Sequence, residues 1–206
     1  MGKGIRLISC MVVLFAAAVS AAGMPNGELQ VTGKMAAPRC EMIVPNNGVY
    51  DLGKIDGRAL AAGETALPPQ TLTWQVRCDR AVPLAVVPQD NRASMARAAR
   101  GSREVFFSLG SAARPLGYYR LSAGQARIDR AAVALQTVGE PMARSGRVPL
   151  LPGVRTFAVL PARGAAMGQW HSIDITVSPV LGTVDAAAVS GEPIDGSATL
   201  EFMFAI

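Results

Sequence analysis

The three cysteines and the single histidine are the residues of this chain with the most distinctive chemistry. Cys10 lies in an N-terminal apolar run that we expect to be removed, so Cys40 and Cys78 remain as an even pair. In an exported chain such a pair predicts a disulfide, because the periplasm and the exterior are oxidising. The alternative is a pair of metal ligands, but His171 is the single histidine and no CxxC or HxxxH spacing occurs. We therefore expect no metal and no cofactor.

The stretch HSID at 171–174 is where a serine hydrolase would have to be sought. Such an enzyme needs a base close to its nucleophile and an acid that orients the base. In an extended strand, however, His171 points to one face while Ser172 and Asp174 point to the other. The chain also has no phosphate-binding glycine loop and no paired carboxylate cluster. The sequence therefore predicts a protein that is not an enzyme, with His171 as a structural or surface residue.

The first residues indicate export. A positively charged start is followed by an apolar run over 7–19 and by small residues at 20–23. This pattern is typical of a secretory signal peptide, and the run is too short for a convincing membrane span. We predict a cleaved signal peptide at 1–21, although cleavage after Ala22 fits equally well. A lipoprotein anchored through Cys10 is the alternative, but that cysteine precedes the small residues at which cleavage is expected.

The charge of the chain gives little indication of nucleic-acid binding. Loss of Lys3 and Arg6 with the signal peptide lowers the formal net charge from +5 to +3. Most of the excess is arginine in stretches such as 92–103 and 143–147, without the interleaved aromatic residues of a nucleic-acid platform. We interpret these stretches as solvated loops, with contact to an anionic surface as the alternative. The roughly 185 remaining residues suit one domain.

Extended segments dominate that domain. Apolar and polar residues alternate, so that Leu72, Trp74, Val76 and Cys78 share one face of a strand. Proline and glycine clusters separate the segments, which together predict a β-sandwich. The predicted strands lie at 48–55, 71–78, 82–88, 104–110, 116–121, 154–161, 170–180 and 198–206.

Two smaller interpretations concern helices and aromatic residues. The alanine-rich stretches 93–100 and 130–136 are compatible with short helical turns, but neither has the amphipathic pattern of a core helix. The aromatic residues on alternating strands could line a carbohydrate pocket, yet such residues more often belong to a core. We therefore assign to the core Trp74, Trp170, Phe106, Phe107 and Phe157.

Both ends of the mature chain are apolar strands. In the opening stretch 28–40, one side of the extended chain carries Leu29, Val31, Gly33, Met35 and Ala37. The last strand carries an apolar face that continues to the final residue and consists of Leu200, Phe202, Phe204 and Ile206. Soluble domains more often end in a few frayed polar residues.

The run from Leu29 to Cys40 resembles the N-terminal extension and first cysteine of chaperone-usher fimbrial subunits, the pilins of Gram-negative bacteria. The shared features are the alternating apolar residues, the glycine among them and the cysteine seven positions after that glycine. The segment 48–55 is similar to the short strand that follows the first cysteine in pilins, and Cys78 closes a strand as their second cysteine does. More narrowly, the chain resembles one of the less characterised fimbrial-like protein families.

The resemblance implies an all-β fold, an incomplete immunoglobulin-like β-sandwich that lacks its last strand. It implies a donor-strand extension at 22–38 and a pilin domain at 39–206. The extension of one subunit would complete the sandwich of the next, and Gly33 would lie where the receiving groove is too shallow for a side chain. The strand from Leu200 to Ile206 would form the groove edge that a chaperone covers first.

The implied function is that of a structural subunit of a fimbrium, or pilus, that polymerises by donor-strand exchange and contributes to cell adhesion. Its partners would be a periplasmic pilus chaperone, an outer-membrane usher, neighbouring fimbrial subunits and a host or surface receptor, with no nucleic acid. It would pass through the periplasm to the cell surface. The alternative is a self-complete secreted or periplasmic immunoglobulin-like binding module, such as a tip adaptor or a ligand-binding protein.

Overall fold

The computed structural model of the chain describes most of the sequence after the first 36 residues. The chain divides into two units, Met1–Ala36 and Ala37–Ile206, and of the first unit only Thr32 is described. The boundary expected after residue 38 stays a prediction. The described residues are 32, 37–55, 63–93, 106–111, 114–141, 146–160, 164–182 and 193–204.

Thirteen strands make up nearly all the regular structure of the described residues, with one short 3-10 turn at Pro45–Gly48 and no α-helix. The strands are β1 (Cys40–Ile43), β2 (Thr65–Ala66), β3 (Gln70–Pro83), β4 (Ala85–Asp90), β5 (Phe107–Ser111), β6 (Arg114–Ile128), β7 (Ala131–Ala132), β8 (Ala134–Thr137), β9 (Arg147–Leu150), β10 (Thr156–Leu160), β11 (Gly164–Ala165), β12 (Met167–Leu181) and β13 (Ala198–Met203). No helix within the described residues is long and apolar enough to cross a membrane.

The strands form two antiparallel sheets. The larger sheet has the order β1-β3-β12-β6-β5, and it is extended by β2 on β12 and by β7 and β9 on β6. The smaller sheet has the order β11-β10-β4-β13, with β8 also paired to β10. The all-β class predicted from the alternating segments is confirmed.

The largest cluster of buried apolar residues, which we call the main core, lies between the two sheets. Ala123 and Ile175 of the larger sheet are fully buried, and they belong to the same cluster as Val86 and Ala158 of the smaller sheet. Facing sheets whose inward side chains share a core form a β-sandwich. The predicted alternation is visible along β12, where Ile173 and Ile175 are buried and Asp174 between them is more exposed.

Two local predictions are wrong. The stretch 130–136, expected to form at most a short helical turn, supplies β7 and β8, because Leu135 and Thr137 alternate toward the core. The segment 48–55, expected to be a strand, begins with the last residue of the 3-10 turn and continues without strand pairing. Gly53 interrupts it with a left-handed φ of 66°, and its N–H donates to the side chain of Asp51.

Candidate functional site

Most of the predicted donor residues lie outside the described part of the chain. This holds for Leu29, Val31, Gly33 and Met35. Ala37, the last residue of that face, is described, and it is exposed and outside any strand. The donor role of these residues therefore stays a prediction, as does the role of the final residue Ile206, which also lies outside the described residues.

Cys40 and Cys78 form the predicted disulfide. Their sulfur atoms are 2.08 Å apart, and the two residues face each other in the pairing of β1 with β3. The bond spans a sequence separation of 38, and closing a loop of that size restricts the unfolded chain by about 3 to 4 kcal/mol in the chain-entropy model. The bond also fixes the register of β1, so that Glu41 pairs with Arg77.

The last described strand, β13, lies at the end of the smaller sheet. It pairs with β4 along its whole length, and no other described strand pairs with its second edge. Leu200 and Phe202 are partly buried against the main core, whereas Thr199 and Glu201 are exposed. Phe204 is partly buried against a smaller cluster next to the disulfide. The described part of the predicted C-terminal apolar face, Leu200, Phe202 and Phe204, is therefore partly buried, and β13 is an edge strand among the described strands.

Trp74 connects β13 to the chain that follows β1. Its indole N–H donates to the hydroxyl of Tyr50 at 3.1 Å, and its ring stacks on Phe202 with 6.0 Å between centroids. The Tyr50 hydroxyl in turn donates to the carbonyl of Ile175 at 3.0 Å. We name Tyr50, Trp74, Leu200 and Phe202 the terminal cluster. All four are partly buried and pack against the main core, so some apolar surface remains exposed beside β13.

The terminal cluster holds its one titratable group in the neutral form. Burial raises the pKa of Tyr50 to about 12, against a smaller lowering by the hydrogen bond from Trp74, and the charge of Asp174 raises it further. The phenol therefore keeps its proton at neutral pH and can donate to Ile175. This arrangement supports packing and hydrogen bonding rather than acid-base chemistry.

The residues at 171–174 do not assemble a catalytic group. His171 is 1% exposed, and its Nε2 lies 2.9 Å from the carbonyl oxygen of Gly168. Asp174 accepts a hydrogen bond from Thr73 on the neighbouring strand at 2.6 Å. Burial lowers the pKa of His171, so the ring is neutral at pH 7 and acts within the structure of β12. Within the described ranges, no three His, Cys, Asp or Glu residues are placed to hold a metal ion.

The assignment of Trp170 to the core is wrong. Trp170 is 41% exposed, whereas Phe106 and Phe107 are buried as expected. Trp170 lines an open cavity of about 790 Å³ on the outer face of the larger sheet. Strict alternation along β12 gives the signal that locates it, because Trp170 has the parity of the outward Ser172 rather than that of the buried Ile173.

Comparison with family models matches part of the chain. A family model described as "Protein of unknown function (DUF1120)" matches residues 29–112. The matched segment begins in the stretch predicted to be the donor strand and includes both disulfide cysteines as well as Tyr50 and Trp74 of the terminal cluster. No curated protein matches the chain.

Proposed function

We propose that this protein is a structural subunit of a chaperone-usher fimbria that polymerises by donor-strand exchange. The observation that carries the proposal is the position of β13: among the described strands it is an edge strand, and the apolar residues Leu200 and Phe202 on its inward face are only partly buried. In this proposal the fold is an immunoglobulin-like sandwich that lacks its last strand. The missing strand is supplied by residues 22–38 of a neighbouring subunit.

The edge of β13 is suited to strand addition. An edge strand presents unpaired N–H and C=O groups, and an apolar face beside it favours aggregation unless another chain covers it. A donor strand would pair with these backbone groups and place alternate side chains over Leu200 and Phe202. Main-chain hydrogen bonds would then give affinity, and the spacing of the apolar side chains would give specificity.

The segment after β1 supports the same proposal. Tyr50 is joined to β13 through Trp74, yet the chain at 49–55 has no strand pairing. In the proposal this segment forms the second wall of the receiving groove, and Trp74 forms part of its floor. A strand inserted between the two walls would give both of them a hydrogen-bonding partner.

The energetics require both side chains and backbone. Burial of Leu29, Val31 and Met35 would contribute about 1.5 to 3 kcal/mol for each residue. Ordering the extension would cost about 1 to 2 kcal/mol per residue, so the side chains alone are insufficient. Hydrogen bonds along the edge of β13 must add their share, at a net of about 0.5 to 1.5 kcal/mol each.

The proposed assembly is open-ended. Each extension would enter a groove on the next copy, and such a head-to-tail contact produces filaments unless its rotation closes a ring. Before assembly a periplasmic pilus chaperone would cover β13, and an outer-membrane usher would exchange it for the incoming extension. The protein would thus pass through the periplasm and reach the cell surface within a fimbrium that contributes to adhesion.

Gly33→Leu tests the proposed exchange. The exported chain is co-expressed with a pilus chaperone and usher, and polymers are detected as ladders that resist detergent without heating. The variant should still co-purify with the chaperone, because β13 is unchanged, but it should form few or no polymers. Thr32→Ser, next to Gly33 on the opposite side of the strand, is the matched control and should polymerise normally. Normal ladders from Gly33→Leu would refute the donor role.

A further inference from the structure

Trp170 is held on the outer face of the larger sheet at a break in strand pairing. Gly168 pairs with Val82, but Trp170 pairs with Arg77, so the ladder between β12 and β3 is interrupted between these two positions. Irregularities of this kind re-aim side chains and often lie next to functional sites. Here the irregularity lies next to Trp170, which is 41% exposed.

Asp129, which follows β6 on the other edge of β12 from β3, bonds to the backbone of β12 beside this break. Its Oδ1 accepts from the backbone N–H groups of Gln169 at 3.1 Å and Trp170 at 2.9 Å. Its own N–H donates to the carbonyl of Trp170 at 2.8 Å. Backbone N–H and C=O groups away from water need partners, and Asp129 accepts from the N–H groups of Gln169 and Trp170 and donates to the carbonyl of Trp170. The backbone that carries Trp170 is therefore fixed.

The neighbouring residues leave little freedom for another arrangement. The buried ring of His171 bonds the carbonyl of Gly168. A Cβ atom at Gly168 would lie 2.2 Å from the side chain of Ile128 and 2.6 Å from the carboxylate of Asp129. Only glycine fits there without displacement of its neighbours. Three residues, Asp129, Gly168 and His171, thus act together to position one exposed aromatic side chain.

The cavity beside Trp170 has a floor made from three strands. Glu41 of β1 pairs with Arg77 of β3, and Arg77 pairs in turn with Trp170 of β12, so the three form a row across the sheet. Gln75, two residues from Arg77 on the same strand, also lines the cavity. The disulfide at Cys40 holds β1 to β3 at this end, which makes the floor rigid.

The polar groups of the cavity favour an uncharged ligand rich in hydroxyl groups. The lining includes two guanidinium groups, from Arg39 and Arg77, and three carboxylates, from Glu41, Asp79 and Asp129. Two of these carboxylates already accept backbone N–H groups, Asp79 from Arg39 and Asp129 from β12. This mixed set favours neither an anion nor a cation, but it offers the hydrogen-bond donors and acceptors that hydroxyl groups require.

We propose that this cavity binds a neutral saccharide. The apolar face of a pyranose ring would pack on the indole of Trp170, and its hydroxyl groups would bond to Gln75, Arg77 and Glu41. A flat aromatic surface combined with a few fixed polar groups is the usual composition of a small-molecule site. The inference does not rest on the proposed polymerisation, because the cavity lies on the outer face of the larger sheet and the terminal cluster packs against the core.

Ligand-observed NMR with the exported chain tests the inference, with lactose, maltose and cellobiose as probes. At least one disaccharide should show saturation transfer from the protein. Trp170→Ala should weaken its affinity by about tenfold or more, as expected for an aromatic anchor, and Trp170→Phe should have a smaller effect. Val138→Ala is the matched control, since Val138 is 54% exposed and does not line the cavity; it should bind as the unmodified chain does.

The positioning role of Asp129 is tested in the same assay. Asp129→Ala removes the acceptor at the ladder break and should weaken binding, whereas Asp129→Asn keeps an oxygen acceptor and should restore most of it. No saturation transfer from any of the three disaccharides would overturn the inference, as would binding that Trp170→Ala leaves unchanged. If Trp170→Ala instead impairs contact between protein chains, the face is a protein interface and the saccharide assignment is wrong.

Discussion

Replacement of Tyr50 by phenylalanine removes one oxygen atom from the terminal cluster and leaves the aromatic ring in place. That oxygen accepts from the indole of Trp74 at 3.1 Å and donates to the carbonyl of Ile175 at 3.0 Å. Each such bond contributes a net of about 0.5 to 1.5 kcal/mol, and an unpaired buried group costs about 1 to 3 kcal/mol. Because the site is partly buried, water can replace part of the loss. We therefore expect the free energy of unfolding to fall by about 1 to 3 kcal/mol.

Urea denaturation of residues 22–206, followed by far-UV circular dichroism, measures this change. The midpoint should fall while the dependence on urea concentration stays the same, because the surface exposed on unfolding is nearly unchanged. Val49→Ala is the matched control: Val49 is the adjacent residue, is 56% exposed, and should change the free energy of unfolding by no more than about 0.5 kcal/mol. A loss for Tyr50→Phe no larger than that of the control would refute the role assigned to the hydroxyl.

Three further predictions concern ionisation and the disulfide. The pKa of Tyr50 is raised above its ordinary value of 10.0 to about 12, so the neutral hydroxyl contributes its full stability below pH 10 and loses it as the pH rises toward 12. In a pH series of urea midpoints, Tyr50→Phe should flatten the decline in stability over this range. An unchanged slope would contradict the assignment. The pKa of His171 is lowered from 6.5 by burial, so the stability of the unmodified chain should fall as the pH drops below 6.5. His171→Gln should reduce that acid dependence. If His171 has no structural role, the stability of the variant and that of the unmodified chain will fall in parallel as the pH drops. Cys40→Ser should lower the free energy of unfolding by about 3 to 4 kcal/mol and reduce the secreted yield. The urea midpoint of the variant should match that of the chemically reduced unmodified chain. The reasoning fails if the variant, the reduced chain and the oxidised chain all have the same urea midpoint.

Alternation in the sequence was sufficient to locate the longest strands, β3, β6 and β12, but it missed β8 and β9. Trp74 and Val76 face the core, as the pattern over 71–78 indicates, and the end of β13 carries the expected apolar face. Strands of this kind follow a period of two because one face is buried by the opposite sheet. The disulfide followed from the expectation of export to an oxidising compartment, with Cys40 and Cys78 left as an even pair.

The remaining features depend on contacts that periodicity does not contain. The exposure of Trp170 follows from parity along β12, but its cavity arises from a ladder break held by Asp129, which is about 40 residues away in the sequence. The segment at 48–55 has the composition of a strand but lacks a pairing partner among the described residues. Whether such a segment pairs depends on residues outside it, which its own composition does not specify.

The most direct test of donor-strand complementation is the effect of a donor peptide on the isolated domain. Residues 39–206 are prepared alone, and a synthetic peptide of residues 26–37 is added in excess while the melting temperature is followed. At about 100 times its dissociation constant a ligand stabilises by about 2.7 kcal/mol, which for a domain of this size is a rise of roughly 5 to 10 °C. A peptide with Gly33→Leu should produce little or no rise. A domain that is monomeric and stable alone, and whose melting temperature neither peptide changes, would contradict the account.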